Sequence, residues 1–167
     1  MTKLPRSDPR AQHIATDTTV ERRELDAFVR VRHKWVMATT RRDGRPQLSP
    51  ITGGLLPSGA LVTSTYPERA KVANVRRNPL VSVLVMGEEF NSEWVQVDGD
   101  ARVAEPDEAV ELLVEYYRSI SGEHPDWDEY RQAMVEQEKT AILIEPTRWG
   151  PISKGGFPAS LFEPTEG

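Results

Sequence analysis

Two cations two residues apart, Arg69 and Lys71, stand where a β-leaning run over 60–65 gives way to helix formers from Glu68 to Arg77. A helix N-terminus presents unpaired N–H groups and a partial positive charge. An arginine there grips an anion through two parallel hydrogen bonds, and a lysine adds a mobile point charge. The pair therefore suits a phosphate anchor. It also suits an ordinary solvated helix surface, and the segment by itself leaves both readings open.

Self-sufficient catalytic groups are absent from the pattern. His13, His33 and His124 fall on an arm, a helix–strand junction and a Gly-Glu-His-Pro loop, with no metal-ligand spacing among them, so no metal site is expected. His124 reads as a residue that fastens a turn. The serines lack a nucleophile-elbow sequence, and there is no cysteine to act as thiolate or disulfide. Neither a G-x-G-x-x-G nor a Walker loop occurs. No catalytic acid or base is assigned; an enzyme built from this chain would leave the hard chemistry to a cofactor.

The positions of these residues depend on elements legible from patterning. A chain of 167 residues suits one domain with a real core. Its charged fraction of 28% favours a solvated globule over a membrane protein, and no apolar run approaches the ~20 residues that span a bilayer. A polar N-terminus and the lack of cysteine fit the cytoplasm. The net charge of −5 argues against a nucleic-acid partner. Charge is divided unevenly, with 15 Lys+Arg against 7 Asp+Glu over 1–79 and 6 against 19 over 80–167. That division suggests either a local anion site or two halves that attract each other.

Residues 1–17 read as a flexible arm, 18–150 as the folded domain and 151–167 as an extended Pro/Gly-rich tail. Thr18 with Glu21 forms a capping box for a short helix whose apolar face is Leu25, Phe28 and Val29. Strands follow over 35–40 and 47–56, joined at Asp43-Gly44 by a turn that needs positive φ. Gly53-Gly54 marks a bulge or a close backbone approach. After a third strand over 60–65, the helix from Glu68 to Arg77 turns Ala70, Ala73 and Val72 inward and stops at Asn78-Pro79. Val81 to Val85 reads as a buried, near-continuous apolar strand, and Trp94 to Val103 as another. Helices over 107–119 and 126–138 and a strand at Ala141–Ile144 complete the order. Hairpins without a βαβ alternation favour an antiparallel barrel with appended helices.

The segments Asp43-Gly44-Arg45-Pro46-Gln47-Leu48-Ser49-Pro50, Arg69-x-Lys71-x-x-Asn74 and Asn78-Pro79 resemble the pyridoxamine-phosphate-oxidase-like split-barrel family. The stretch from Gly122 to Met134 looks like its actinobacterial deazaflavin-dependent branch, and lies away from the chemistry. The resemblance covers about residues 20 to 150. It implies a mainly β fold: a six-stranded antiparallel split β-barrel with peripheral helices, working as a homodimer that holds its cofactor between subunits. By the same resemblance Gln47, Leu48, Ser49 and Pro50 pass along a tricyclic ring, and Thr63, Ser64 and Thr65 border ring or ribityl chain. Arg69 and Lys71 hold phosphate. Trp94 matches an aromatic near the cofactor, or else a core or interface tryptophan; Trp149 follows the last strand in a pattern too variable to assign it to the pocket. Pro50 removes a backbone donor that other members use. Arg41, Arg42 and Arg45 at the hairpin tip suit either an anionic cofactor tail or solvent.

The resulting expectation is a coenzyme F420-dependent oxidoreductase that passes hydride to an electron-poor small molecule. An FMN-dependent enzyme of the same fold and a non-catalytic flavin or deazaflavin carrier are its alternatives.

Overall fold

The computed structural model describes residues 20–154. Among them the order is α1 (Arg22–Arg30), β1 (Lys34–Thr40), β2 (Pro46–Leu55), β3 (Leu61–Thr65), α2 (Ala70–Arg77), β4 (Leu80–Met86), β5 (Trp94–Val103), α3 (Pro106–Ser121), α4 (Trp127–Glu136) and β6 (Thr140–Trp149). The six strands close into an antiparallel barrel in the order β1-β2-β3-β6-β5-β4. The expected arm over 1–17 and most of the tail lie outside the described residues; within the tail, Ser153 forms an antiparallel bridge with Trp94.

Period-two alternation builds the barrel interior. Trp35 and Met37 of β1, Val83 and Val85 of β4, Val95 and Val97 of β5, and Ile142 and Ile144 of β6 all point inward and are buried. Leu25, Phe28 and Val29 of α1 join this core, as do Val72 and Val75 of α2. A second core lies outside the barrel wall, where α3 and α4 bring Leu113, Tyr116 and Met134 onto Val62 and Ala141. β3 and the start of β6 therefore bury both faces.

β4 does not. Val81 to Val85 was expected to be buried, yet only Val81, Val83 and Val85 are; Leu84 is half-buried and Leu80 before it 64% exposed, because no helix among the described residues covers that side. The register shows how far the uncovered face extends. Leu48, Ala38, Ser82 and Asp98 stand in one cross-strand row, and Pro50, Val36, Leu84 and Gln96 in the next. Thr52, Lys34, Met86 and Trp94 form a third.

Local details differ from expectation for physical reasons. The capping box of α1 is made by Glu21 and Glu24, whose carboxylates accept each other's backbone N–H groups; Thr18 lies outside the described residues. The β1–β2 turn has positive φ at Gly44 alone, with Gly44 N–H donating to the Arg41 carbonyl at 3.0 Å. This is the longer hairpin connection that places a glycine after a turn, not the two-residue Asp-Gly type. On α2 the inward residues are Val72, Asn74 and Val75, while Ala70 and Ala73 are exposed. Helix formation begins at Ala70 because 66–69 is spent on a turn in which Arg69 N–H donates to the Tyr66 carbonyl at 3.1 Å.

At Gly53 a Cβ would fall 1.9 Å from the Trp35 ring, so the Gly-Gly pair serves a close approach. Only a residue without a side chain lets β2 pass over the indole there. No helix among the described residues is long and apolar enough to cross a membrane.

Candidate functional site

Where β3 ends, the wall turns outward through Tyr66 into α2, and a cleft of about 470 Å³ opens between this corner and β2. It brings together Gln47, Ser49 and Pro50 from β2, Ser64 and Thr65 from β3, and Arg69 and Lys71 from the start of α2. Tyr66, Ala70 and Lys139 complete it.

Three of the sequence candidates lie elsewhere. Leu48 is 65% exposed and faces away from the cleft, since its strand neighbours Gln47 and Ser49 face in. Thr63 is buried and its hydroxyl donates to the Thr52 carbonyl at 2.8 Å, stitching β2 to β3. Trp94 sits on the uncovered face of β5, beside Met86, Phe90 and Gln96. Trp149 is not at the cleft either: it packs against the barrel core and its indole N–H donates to the Val20 carbonyl at 2.7 Å.

Lys139 and Tyr66 escaped the sequence reading. The β3–β6 register pairs Thr65 with Thr140, which carries Lys139 to the mouth of the cleft, and its Nζ stands 5.4 Å from the centre of the Tyr66 ring. One signal was available. In a second half with 6 Lys+Arg against 19 Asp+Glu, a lysine directly before a strand is an uncommon cation.

The electrostatics of the cleft are lopsided. Arg69, Lys71 and Lys139 make no ion pair with any described carboxylate, and α2 opens without a side-chain cap. Burial and the neighbouring Arg69 hold the Lys71 ammonium below its ordinary pKa. Beneath these cations lies Thr65, 5% exposed, whose Oγ1 has no hydrogen-bond partner. A buried unpartnered hydroxyl costs free energy that a ligand atom would recover. The basic first half thus divides its cations: Arg32 and Lys34 pair with Glu93 and Glu88 of the acidic half, while the cleft keeps Arg69 and Lys71 unpaired.

Asn74 supports the cleft from behind. Its buried side-chain N–H₂ donates to Thr39 Oγ1 and to Gln47 Oε1, each at 3.0 Å, and its Oδ1 accepts from Arg77 at 2.8 Å. One amide thereby ties α2 to β1 and β2 and sets the Gln47 side chain. The Tyr116 hydroxyl, pushed up in pKa by burial, donates to the Thr52 carbonyl at 3.2 Å on the far side of β2. Of the histidines, His33 Nδ1 donates to the Gly53 carbonyl at 2.9 Å and His124 Nδ1 accepts from Asp126 N–H at 3.0 Å. His13 lies outside the described residues. Among the described residues no group of His, Asp or Glu is placed to hold a metal ion.

This arrangement can seat an anion on three cations and a hydroxyl, at the end of a slot bordered by strand edges. Similar folds occur among solved structures. A conserved hypothetical protein from Mycobacterium tuberculosis superposes with a TM-score of 0.67 at 22% identity, over 83% of this chain and 88% of that one. A protein described as an F420 reductase gives 0.56 at 18% identity, over 74% and 94%. A heme storage protein from Vibrio cholerae gives 0.56 at 19% identity, over 80% and 95%. At such identities the likeness is one of fold. The sequence itself goes further: residues 22–153 match the pyridoxamine 5'-phosphate oxidase family model, and the chain belongs to that family.

Proposed function

We propose that the protein is an oxidoreductase that holds coenzyme F420 in this cleft and passes its hydride to an electron-poor small organic molecule. The observation that carries the reading is the unpaired trio Arg69, Lys71 and Lys139 above the unpartnered Thr65 hydroxyl. A phosphate-bearing cofactor supplies the negative charge and the acceptor atoms that this set lacks. Arg69 and Lys71 would hold the phosphate and Thr65 a neighbouring oxygen, while Ser64, Gln47, Ser49 and Pro50 would border the ring. Reduced deazaflavin, when bound, supplies a hydride. The chain's own part is to orient ring and acceptor, exclude water, and place N–H and O–H donors where charge develops. FMN carries the same kind of phosphate and is the alternative cofactor.

The working unit in this reading is a cytoplasmic homodimer. Its support is the uncovered barrel face, where Leu48, Val36, Leu84, Met86 and Trp94 give an apolar band running from the cleft strand β2 across β1 and β4 to β5. Such a face on a chain this small is the kind a partner covers. A second copy packed there would bring its own Trp94 toward this region.

Titration of the purified protein with F420 and with FMN in one buffer tests the assignment, with sedimentation reporting the assembly. Tighter binding of F420, turnover of the reduced cofactor with nitroaromatic or quinone acceptors, and a dimer at micromolar concentration are expected. Tighter FMN binding would move the protein to the alternative cofactor. Binding without turnover would make it a carrier, and a monomer would remove the shared cleft.

A further inference from the structure

Lys139 is wall to two cavities. Beyond the cleft it also lines a larger groove of about 790 Å³, bounded by the end of α2, the end of β5, the start of α3 and the end of α4. The lining is mainly apolar: Val75, Val103, Val110, Met134 and Val135 contribute, and Val135 is 62% exposed. Volume and lining both fall in the range of small-molecule sites.

The polar groups of the groove sort into spent and unspent. Arg102 forks onto Glu108. The Glu105 carboxylate is occupied in capping α3, where it accepts the Glu108 backbone N–H. Arg76 and Lys139, by contrast, have no carboxylate partner among the described residues, and Glu138 is the one acid of the lining left over. The backbone also departs from the ordinary here. Glu138, at φ +50°, is the sole non-glycine among the described residues in the left-handed region, and it turns the chain out of α4 so that Lys139 stands between the cavities. Such a conformation is unfavourable for a side-chain-bearing residue and is kept where surrounding structure enforces it.

We propose that this groove is a second binding site, adjoining the cofactor cleft at Lys139, for an amphipathic organic anion. Arg76 and Lys139 receive its carboxylate, and Val75, Val103, Met134 and Val135 receive its hydrocarbon body. A polyanion would gain nothing from the apolar walls, and a neutral hydrocarbon nothing from the two unpaired cations. Only a ligand with both parts uses the whole lining. The groove and its two cations are features of the cofactor-free chain and do not depend on the proposed function.

Calorimetric titration of the full-length protein with dodecanoate, kept below its micellar concentration, tests the proposal, with dodecanol and dodecyltrimethylammonium as controls. One dodecanoate per chain is expected, bound at least tenfold more tightly than either control. Arg76→Ala, which touches the groove and not the cleft, should weaken it at least tenfold, and Val135→Glu, on an exposed position, should do the same. Arg69→Ala/Lys71→Ala should leave it within twofold while losing the cofactor, so failure of the groove and failure of the cleft are read separately. Absence of saturable binding, equal affinity for dodecanol, or loss of dodecanoate in the Arg69/Lys71 variant would each overturn the proposal. Binding that appears only after truncation at Lys154 would also overturn it, by assigning the groove to the chain's own C-terminal segment.

Discussion

The α3–α4 pair and the cleft at α2 both combine basic side chains with aromatic rings, and use them in opposite ways. On α3 and α4 every such group has a partner. Arg118 bonds Glu115 at 2.8 Å and Glu123 at 2.9 Å while lying 4.7 Å from the centre of the Trp127 ring. Arg131 pairs with Glu111 at 2.6 Å. Tyr117, His124, Trp127 and Tyr130 pack edge to face or tilted at 5.1–5.8 Å, and the Tyr130 hydroxyl donates to the Leu113 carbonyl. Burial, then the nearby Tyr116 and Tyr117, pushes the Tyr130 phenol up to about 12. At the cleft, Arg69, Lys71 and Thr65 Oγ1 have no such partners. A saturated network stabilises a shape; an unsaturated one at a cavity is held for something that arrives later.

The sharpest way to break this contrast is to remove the cleft cations together. Arg69→Ala/Lys71→Ala should lower cofactor affinity by about 100-fold, since each charged hydrogen bond contributes roughly 1.5–3 kcal/mol and ~1.4 kcal/mol is a factor of ten. Thermal denaturation should show a melting temperature no lower than that of the parent, because two repelling charges are gone. Unchanged affinity in a folded variant would end the anchor assignment.

The reciprocal change is Trp127→Ala. It takes out the ring that Tyr117, His124, Tyr130 and Arg118 pack against, and should cost about 2 kcal/mol in chemical denaturation. Cofactor affinity should stay within twofold, and a parallel loss of affinity would show that the two regions are not independent.

A smaller effect is expected from Thr65→Val, which keeps the shape and deletes the unpartnered hydroxyl. Affinity should fall about fivefold, equivalent to roughly 1 kcal/mol, with stability unchanged or raised. A destabilised protein with normal affinity would mean that the hydroxyl serves the fold.

The smallest effect is a pH dependence. Lys71 has a folded-state pKa below its ordinary 10.5, so the unfolded chain binds more protons between those two values. Stability of the cofactor-free protein should therefore rise with pH through that window, as the ammonium that folding disfavours is lost. Anion affinity should fall over the same range. Denaturation midpoints of the parent and of Lys71→Met, compared across the window, check the sign; identical slopes would show that Lys71 is not the group responsible.

Much of this molecule is legible without coordinates, and the reason is local. The Leu25/Phe28/Val29 face of α1, the glycine at the tip of the first hairpin and the close approach at Gly53 follow from periodicity, from φ requirements and from the absence of a side chain. Asn74 was legible as part of a motif but not as the buried amide that sets Gln47, because its bonds span 27 and 35 residues. The half-open face of β4 was misread for a related reason. Leu84 is apolar in composition, and only the barrel decides that no helix among the described residues covers it.

By itself, then, the amino-acid sequence determined the order of helices and strands, the family, and the pair Arg69 and Lys71 at a strand-to-helix junction, all of which depend on neighbours in the chain. Tertiary structure alone decided that Thr65 pairs with Thr140, that Lys139 therefore joins the cleft and walls a second groove, and that Leu48 and Trp94 turn to the uncovered face. Those outcomes depend on strand register, and a register shift of one residue reverses which face every side chain meets.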